Sequence, residues 1–350
     1  MVKPKTNNTK KATQIRKLNS LRGLAALIVV LSHYSNVTNL LDGKLGHGAG
    51  QLGVMLFFLL SGFLMSHLYM DRDFSSFEVN NFIMARIARV IPLFIIVVLI
   101  SYALQMLELR GYFFNIPSIP ILFSHVVFLS GTSILWTIPA EIQFYILFVF
   151  LWWLQKTKEI GLYIFMMISF LIIALSDFPR PAGSFMDIPY DFVLLRSLPY
   201  FFSGVLFGKL YTKRQLFFRY SNSAFILSLS FILLLYPGIF SMLFGYNHGK
   251  WQDIGVLVSL SLVFFVVVFL VPDSNRLLAN RVGDFLGNIS YSLYLLHMPI
   301  LVFVRELAID QPGIFLVIYL MISFIVSYLS YLLIERPSRK AIRKIGFVAI

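Results

Sequence analysis

The chain has 350 residues, 58% of them hydrophobic and only 13% charged, with a mean hydropathy of +0.81. A soluble domain carries about 25% charged residues, so this composition excludes the soluble classes and indicates a polytopic membrane protein. The net charge is +13 and there is no Cys. The basic residues cluster between apolar runs, where they act as orientation signals before they are a nucleic-acid footprint. The missing thiols exclude thiolate metal sites, Cys nucleophiles and disulfides.

Residues 1–18 form a polar, basic tail. No small-x-small cleavage pattern follows the first apolar run, so the tail reads as retained and cytoplasmic, not as a signal peptide. Ten apolar segments follow, near 19–40, 51–70, 87–108, 135–154, 160–176, 191–210, 222–240, 253–271, 284–305 and 313–334. Each has the length a helix needs to cross a bilayer core. None alternates as barrel strands do. The expected fold class is all-α: a polytopic membrane helix bundle of about ten transmembrane helices over 19–334, with a second basic tail at 335–350. With the N-terminus inside, 23 of the 29 Lys and Arg residues fall on inner segments and 6 on outer ones. That asymmetry predicts both termini to be cytoplasmic.

Two stretches between the segments stand out. Residues 117–131 are apolar but too short to cross comfortably, which predicts a re-entrant or interfacial helix on the outer side. Residues 176–190 hold Pro179, Pro181 and Pro189 and cannot be helical throughout. They are either a substrate entrance or a plain connector.

The first apolar segment carries Arg22 and, eleven residues on, His33. At about 100° per residue the two side chains lie about 20° apart on one helix face, separated by roughly 16 Å along the axis. A lone histidine in an apolar helix is costly if charged and tends to face a cavity or a partner. Glu141 lies in the fourth segment and His297 in the ninth. Counted at about 1.5 Å per residue, His33, Glu141 and His297 all fall at similar height in the outer half of the core. A carboxylate beside an imidazole can fix its tautomer and stabilise its charged form, the base-plus-orienter arrangement of acyl transfer. The competing reading is a polar cluster that joins helices. At the inner end, Arg22 is joined by Arg86 and Arg89, an i, i+3 pair. Three guanidiniums suit a phosphate-bearing ligand, although inner arginines are also what the positive-inside rule expects. Ser61-Gly62 in mid-segment reads as a site of close helix packing. His47, His67, His125 and His248 show no spacing that suggests a metal site.

These pieces together resemble the acyltransferase 3 family of membrane acyltransferases, which includes O-antigen and peptidoglycan O-acetylases. The resemblance is carried by Arg22 to His33, Phe57 to Phe63, Arg86-x-x-Arg89 with Ile91-Pro-Leu, Trp136 to Tyr145, and Ile289 to Pro299 followed by Ile334-Glu-Arg-Pro337. The chain departs from the family at Thr137-Ile-Pro139, where Ser-Leu is more usual, and a proline there is expected to kink the fourth span. No soluble hydrolase-like domain is evident, which favours direct transfer over a relay. The resemblance implies an O-acyltransferase that moves an acyl group, expected to be acetyl, from cytoplasmic acyl-CoA to a hydroxyl of a cell-envelope glycan or lipid-linked sugar.

On that reading Arg22, Arg86 and Arg89 hold the CoA phosphates and His33 is the general base. Glu141 orients it, and Tyr145 and His297 position the acceptor or the oxyanion. No metal is expected, no nucleic acid is a partner, and the protein works embedded in membrane lipid. Whether an acyl-histidine forms stays open. The alternative is a transporter or flippase for a glycolipid or anion, with His33, Glu141 and His297 as a proton relay; its usual inverted repeats are not visible.

Overall fold

A computed structural model describes residues 15–348 except 110, 112, 212–222 and 310, with side chains described as far as 342. Of the residues discussed above, most of the N-terminal tail, Arg110, Lys213, Arg214 and Arg219, and the side chains of Arg343 and Lys344, lie outside that set.

The described chain is helical apart from one hairpin. In order, the helices are α1 (Arg16–Thr38), α2 (Gly50–Tyr69), α3 (Ser76–Met106), α4 (Ile119–Val126), α5 (Thr137–Thr157), α6 (Glu159–Leu175), α7 (Leu194–Tyr211), α8 (Ala224–Leu234), α9 (Pro237–Phe244), α10 (Ile254–Phe265), α11 (Arg281–Arg305), α12 (Pro312–Ser330) and α13 (Arg336–Val348). Every apolar segment read from the sequence falls on a helix or a pair of consecutive helices. Five continuous helical stretches are long and apolar enough to cross a membrane: 50–69, 76–106, 133–157, 281–305 and 312–342. A sixth arises if α8 and α9 count as one span, bent by 80°. The bend is local chemistry: Pro237 disfavours helical backbone at Tyr236 and starts the next helix.

The bundle is built around α2 and α11, each with 72% of its apolar window buried, whereas α3 has 33% and the last stretch 17%. Small residues let the central helices approach. A β-carbon on Gly62 of α2 would collide with the backbone of Phe201 on α7, and one on Gly204 of α7 with the backbone of Leu59. The packing expected at Ser61-Gly62 is therefore present on the glycine's side. α1 runs alongside α11 in the same direction, with Asn19 against Gly287 and Gly23 against Leu286. Its first turn is tied down by Arg16 and Asn19 to Asp284, and by fully buried Lys17. The Lys17 ammonium donates to the carbonyls of Val268 and Val271, at 2.6 and 2.7 Å, and pairs with Asp273. Those carbonyls lie within and just after a π-helical turn at Val266–Leu270, where the regular ladder ends.

Three details add to the sequence reading. Pro139 does not kink a span: it lies in the first turn of α5, where its missing N–H breaks no helical bond. The 176–190 loop carries an antiparallel hairpin, β1 (Ala182–Phe185) and β2 (Ile188–Asp191), turning at Met186 and Asp187, both with positive φ. Glu335 is 1% exposed and closes a π-helical turn that runs directly into α13.

The short segment 117–131 does contain a helix, α4. Its His125 is buried and structural: one ring nitrogen faces the Ile121 carbonyl at 2.8 Å, the other accepts from the Thr132 N–H at 2.9 Å.

Candidate active site

His33 lies eleven residues beyond Arg22 on α1, and both face α11. At the upper level, the rings of His33 and His297 meet with centroids 5.2 Å apart and planes tilted by 43°. His297 is fully buried. Its Nδ1 lies 2.7 Å from the Tyr294 carbonyl and 3.2 Å from that of Leu293. Two acceptors on that side place the proton on Nδ1, leaving Nε2 as the basic nitrogen. Nε2 has no hydrogen-bond partner among the described residues. Pro299 follows two residues later and cannot donate to the Leu295 carbonyl, which loosens the helix beside the histidine.

One turn below, Tyr294 joins the histidines to a second level. Its ring is 6.0 Å from His297. Its hydroxyl donates to the Ile134 carbonyl at 2.9 Å and accepts from Thr137 at 3.2 Å. Tyr294 and Thr137 also line a narrow cavity of about 50 Å³ with Arg22, Arg89, Ser61, Glu141 and Tyr291. That is room for a few water molecules. Tyr291 donates to the Val90 carbonyl at 2.6 Å, which fixes α3 against α11 here.

Glu141 belongs to this second level, not to the histidine level. Its Oε1 accepts from the Tyr145 hydroxyl at 2.6 Å and from Ser61 Oγ at 2.8 Å. Among the described residues it makes no hydrogen bond to either histidine. α5 does not itself start its helical stretch, which opens at Ser133. It follows a 3-10 turn, Ser133–Trp136, whose Ile134 and Leu135 are already buried beside Tyr294. Glu141 lies a further turn inward.

The arginines divide. Arg22 and Arg89 line the cavity, and neither has an ion pair or hydrogen bond among the described residues. Arg86 is on the far side of Tyr145. Its guanidinium lies over the rings of Phe82, Tyr69 and Tyr145, at 5.8, 5.9 and 6.0 Å, and it lines a separate, mostly apolar cavity. Arg86 therefore clamps the tyrosine that holds Glu141 and does not share the cavity wall. Electrostatically the group is still one: the charges of Arg89, Arg86, Glu141 and Arg339 all act on Arg22. Arg339 is held by Glu335 at 2.5 Å, and Glu335 also accepts from Ser292. Four guanidiniums against two carboxylates leave a surplus of positive charge, an anion-attracting site in a low-dielectric surrounding.

Sequence reasoning missed Ser61, Tyr291, Tyr294, Glu335 and Arg339. Part of the signal was there: Ser290, Tyr294 and His297 recur at i, i+4 and i+7, one helix face. Ser61 was read only through its glycine neighbour. Arg339 falls in the stretch that reads from sequence as a basic tail, because its anchoring carboxylate, Glu335, sits in a motif that looks like a helix end. Among the described residues no group of His, Asp and Glu could hold a metal ion.

A family model described as an acyltransferase domain matches residues 15–332. A Staphylococcus aureus (strain COL) protein named "Putative O-acetyltransferase SACOL0978" is 26% identical over 373 residues, covering 95% of this chain and 60% of that protein. The O-acetyltransferase OatA of Staphylococcus aureus (strain NCTC 8325 / PS 47) is 25% identical over 362 residues, covering 95% of this chain and 58% of OatA. The chain thus spans about three-fifths of the length of these relatives. No solved structure matches.

Proposed function

Because the chain belongs to the acyltransferase 3 family, we propose that it is a transmembrane O-acyltransferase, moving an acetyl group from cytoplasmic acetyl-CoA to a hydroxyl of a cell-envelope glycan or lipid-linked sugar. The observation that carries this reading is the two-level arrangement. Unpaired Arg22 and Arg89 share a cavity with Glu141, and Tyr294 links that cavity to the His33–His297 pair. The chain crosses the inner membrane ten times with both termini in the cytoplasm, which puts the arginine level on the cytoplasmic side and the histidine level toward the envelope.

The donor's phosphates pair with Arg22 and Arg89, whose planar N–H edges match phosphate oxygens. The pantetheine arm runs up along α1, a rise of roughly 16 Å from Arg22 to His33. The cavity as it stands admits only water, so donor entry parts α1, α3, α5 and α11. Glu141, held by Ser61 and Tyr145, balances the arginines. Arg86 and Tyr145 position it from behind.

His33 takes the proton of the acceptor hydroxyl as its oxygen attacks the thioester carbonyl. The carbonyl π-electrons move onto oxygen, and His297, whose unpartnered Nε2 can accept from a sugar hydroxyl, positions the acceptor beside this centre. Collapse breaks the C–S bond. The leaving CoA thiolate takes the proton from His33, which returns the imidazole to its neutral form and releases CoA as the free thiol. Attack by His33 itself, giving an acyl-histidine, uses the same geometry in two steps.

The test is donor-dependent labelling. Purified protein in nanodiscs is given acetyl-CoA labelled in the acetyl group and an envelope glycan fraction. Label in the glycan that is lost in Arg22→Gln and His33→Ala supports the reading. Transport of a glycolipid with no acetyl transfer and no acetyl-CoA hydrolysis refutes it.

A further inference from the structure

A second polar cavity, of about 350 Å³, opens at the His33 end of the bundle. That size is within the range of small-ligand sites. Gln51, at the start of α2, places it: the neighbouring Gly50 packs against Ser32. The other walls come from the loop after α6 (Asp177, Arg180), from Arg196 in the first turn of α7, and from Trp251 and Gln252 in the 3-10 turn before α10. A single layer of rings divides it from the Glu141 cavity. Phe58, which lines the latter, contacts Trp136 and Trp251 at 6.2 and 6.0 Å.

The charges in this cavity are unevenly satisfied. Arg180 is paired with Asp191, and Asp177 accepts from Gln252 at 3.0 Å. Arg196 has no ion pair among the described residues. It is held instead over the faces of Trp251 and Trp136, at 5.2 and 5.6 Å. Stacking uses the face of a guanidinium and leaves its in-plane N–H donors open. Its Nε is buried without a hydrogen-bond partner, and so is Nε1 of Trp251, a residue only 3% exposed. A buried donor without an acceptor costs about 1–3 kcal/mol, and here two such donors belong to residues in direct contact. Lys250 adds a second cation with no ion pair among the described residues.

We propose that this cavity binds an anionic sugar, a hexuronate unit of a glycan. Its carboxylate pairs with Arg196 and Lys250, and its hydroxyls with Trp251 Nε1, Gln51 and Gln252. A carboxylate matches the guanidinium edge, and the amides supply the paired donors and acceptors that sugar hydroxyls need. The site's role as the place where the acceptor is held before transfer rests on the O-acyltransferase reading; the binding itself does not.

Titration of the full chain in nanodiscs with a glucuronate-containing tetrasaccharide, followed by microscale thermophoresis, tests it. The control is the same tetrasaccharide with its carboxyl groups reduced to alcohols. The expected result is binding of the uronate at least tenfold tighter than of the reduced sugar, weakened at least tenfold in Arg196→Gln. Because Arg196 packs between two tryptophans, Lys250→Gln serves as a second variant at the cavity rim, with at least threefold weakening and an unchanged thermal shift by acetyl-CoA. Equal binding of both sugars, or uronate binding unchanged in both variants, overturns the proposal. Wild type that transfers acetyl but shows no uronate-dependent binding also overturns it and leaves the enzyme reading intact. Uronate-dependent binding without any acetyl transfer supports the sugar site and removes the enzyme reading.

Discussion

Tyr145→Phe separates position from packing in the arginine–carboxylate level. The substitution deletes the 2.6 Å hydrogen bond to Glu141 Oε1 and nothing else that is polar. The ring remains, and with it the contacts to Arg86 and Phe82. A hydrogen bond to a charged group contributes about 1.5–3 kcal/mol. If Glu141 must be held in place for transfer, that is a loss of roughly 10- to 100-fold in kcat/KM, at about 1.4 kcal/mol per tenfold. Ser61→Ala removes the other bond to the same oxygen, at 2.8 Å, and should cost less, about three- to tenfold, because the aliphatic hydroxyl is a weaker donor than the more acidic phenol at its shorter distance. The two changes are coupled. Either alone leaves Oε1 one donor, whereas both together strip it, so the double variant should lose more than the product of the two single losses. The assay is acetyl transfer at matched protein level, with thermal stability in nanodiscs as the control. Tyr145→Phe and the double variant both within twofold of wild type would refute the argument that Glu141 is a held group.

Other outcomes follow from the same geometry. Arg22→Gln and Arg89→Gln should each raise the KM for acetyl-CoA roughly tenfold or more with a smaller change in kcat, since each removes about 1.5–3 kcal/mol of charge-assisted bonding; steady-state kinetics at varied donor checks this. Arg86→Gln should instead lower kcat with little change in donor KM, because Arg86 faces the ring of Tyr145 and not the cavity. Gly204→Val should lower the thermal unfolding temperature in detergent, by an overpacking cost of about 1–3 kcal/mol, since the α7 backbone lies directly on Leu59 of α2. Glu335→Gln should weaken donor binding indirectly by releasing Arg339, and Glu335→Asp should recover part of it; isothermal titration with CoA reads both.

The helices were legible because hydrophobic length is a direct signature of membrane-spanning structure. Their ends were not always. α3 begins at Ser76, well before the apolar run near 87, because its first turns carry Glu78 and Asn80. The Ser75 side chain accepting from the Glu78 N–H marks that start, and Ser-x-x-Glu is a capping pattern visible in the sequence. The meeting of His33 and His297 followed from counting residues along two helices that rise in parallel. The same count did not show that Glu141, among the described residues, bonds to Ser61 and Tyr145 and to neither histidine. Hydropathy does not report that a short helix and a 3-10 turn precede α5. The division of the arginines was equally hidden. Arg86 and Arg89 share a helix face, and only the wedge of Tyr145 from α5 sends one to a ring stack and the other to the cavity.

The account turns on His33. The measurement that tests it most directly is transfer of label from acetyl-labelled acetyl-CoA to an envelope glycan, comparing wild type with His33→Ala at equal amounts of folded protein in nanodiscs. Loss of a general base predicts a fall of about 10²- to 10⁴-fold, with the acetyl-CoA thermal shift retained because Arg22 and Arg89 are untouched. His33→Ala labelling the glycan as fast as wild type would contradict the account at its centre.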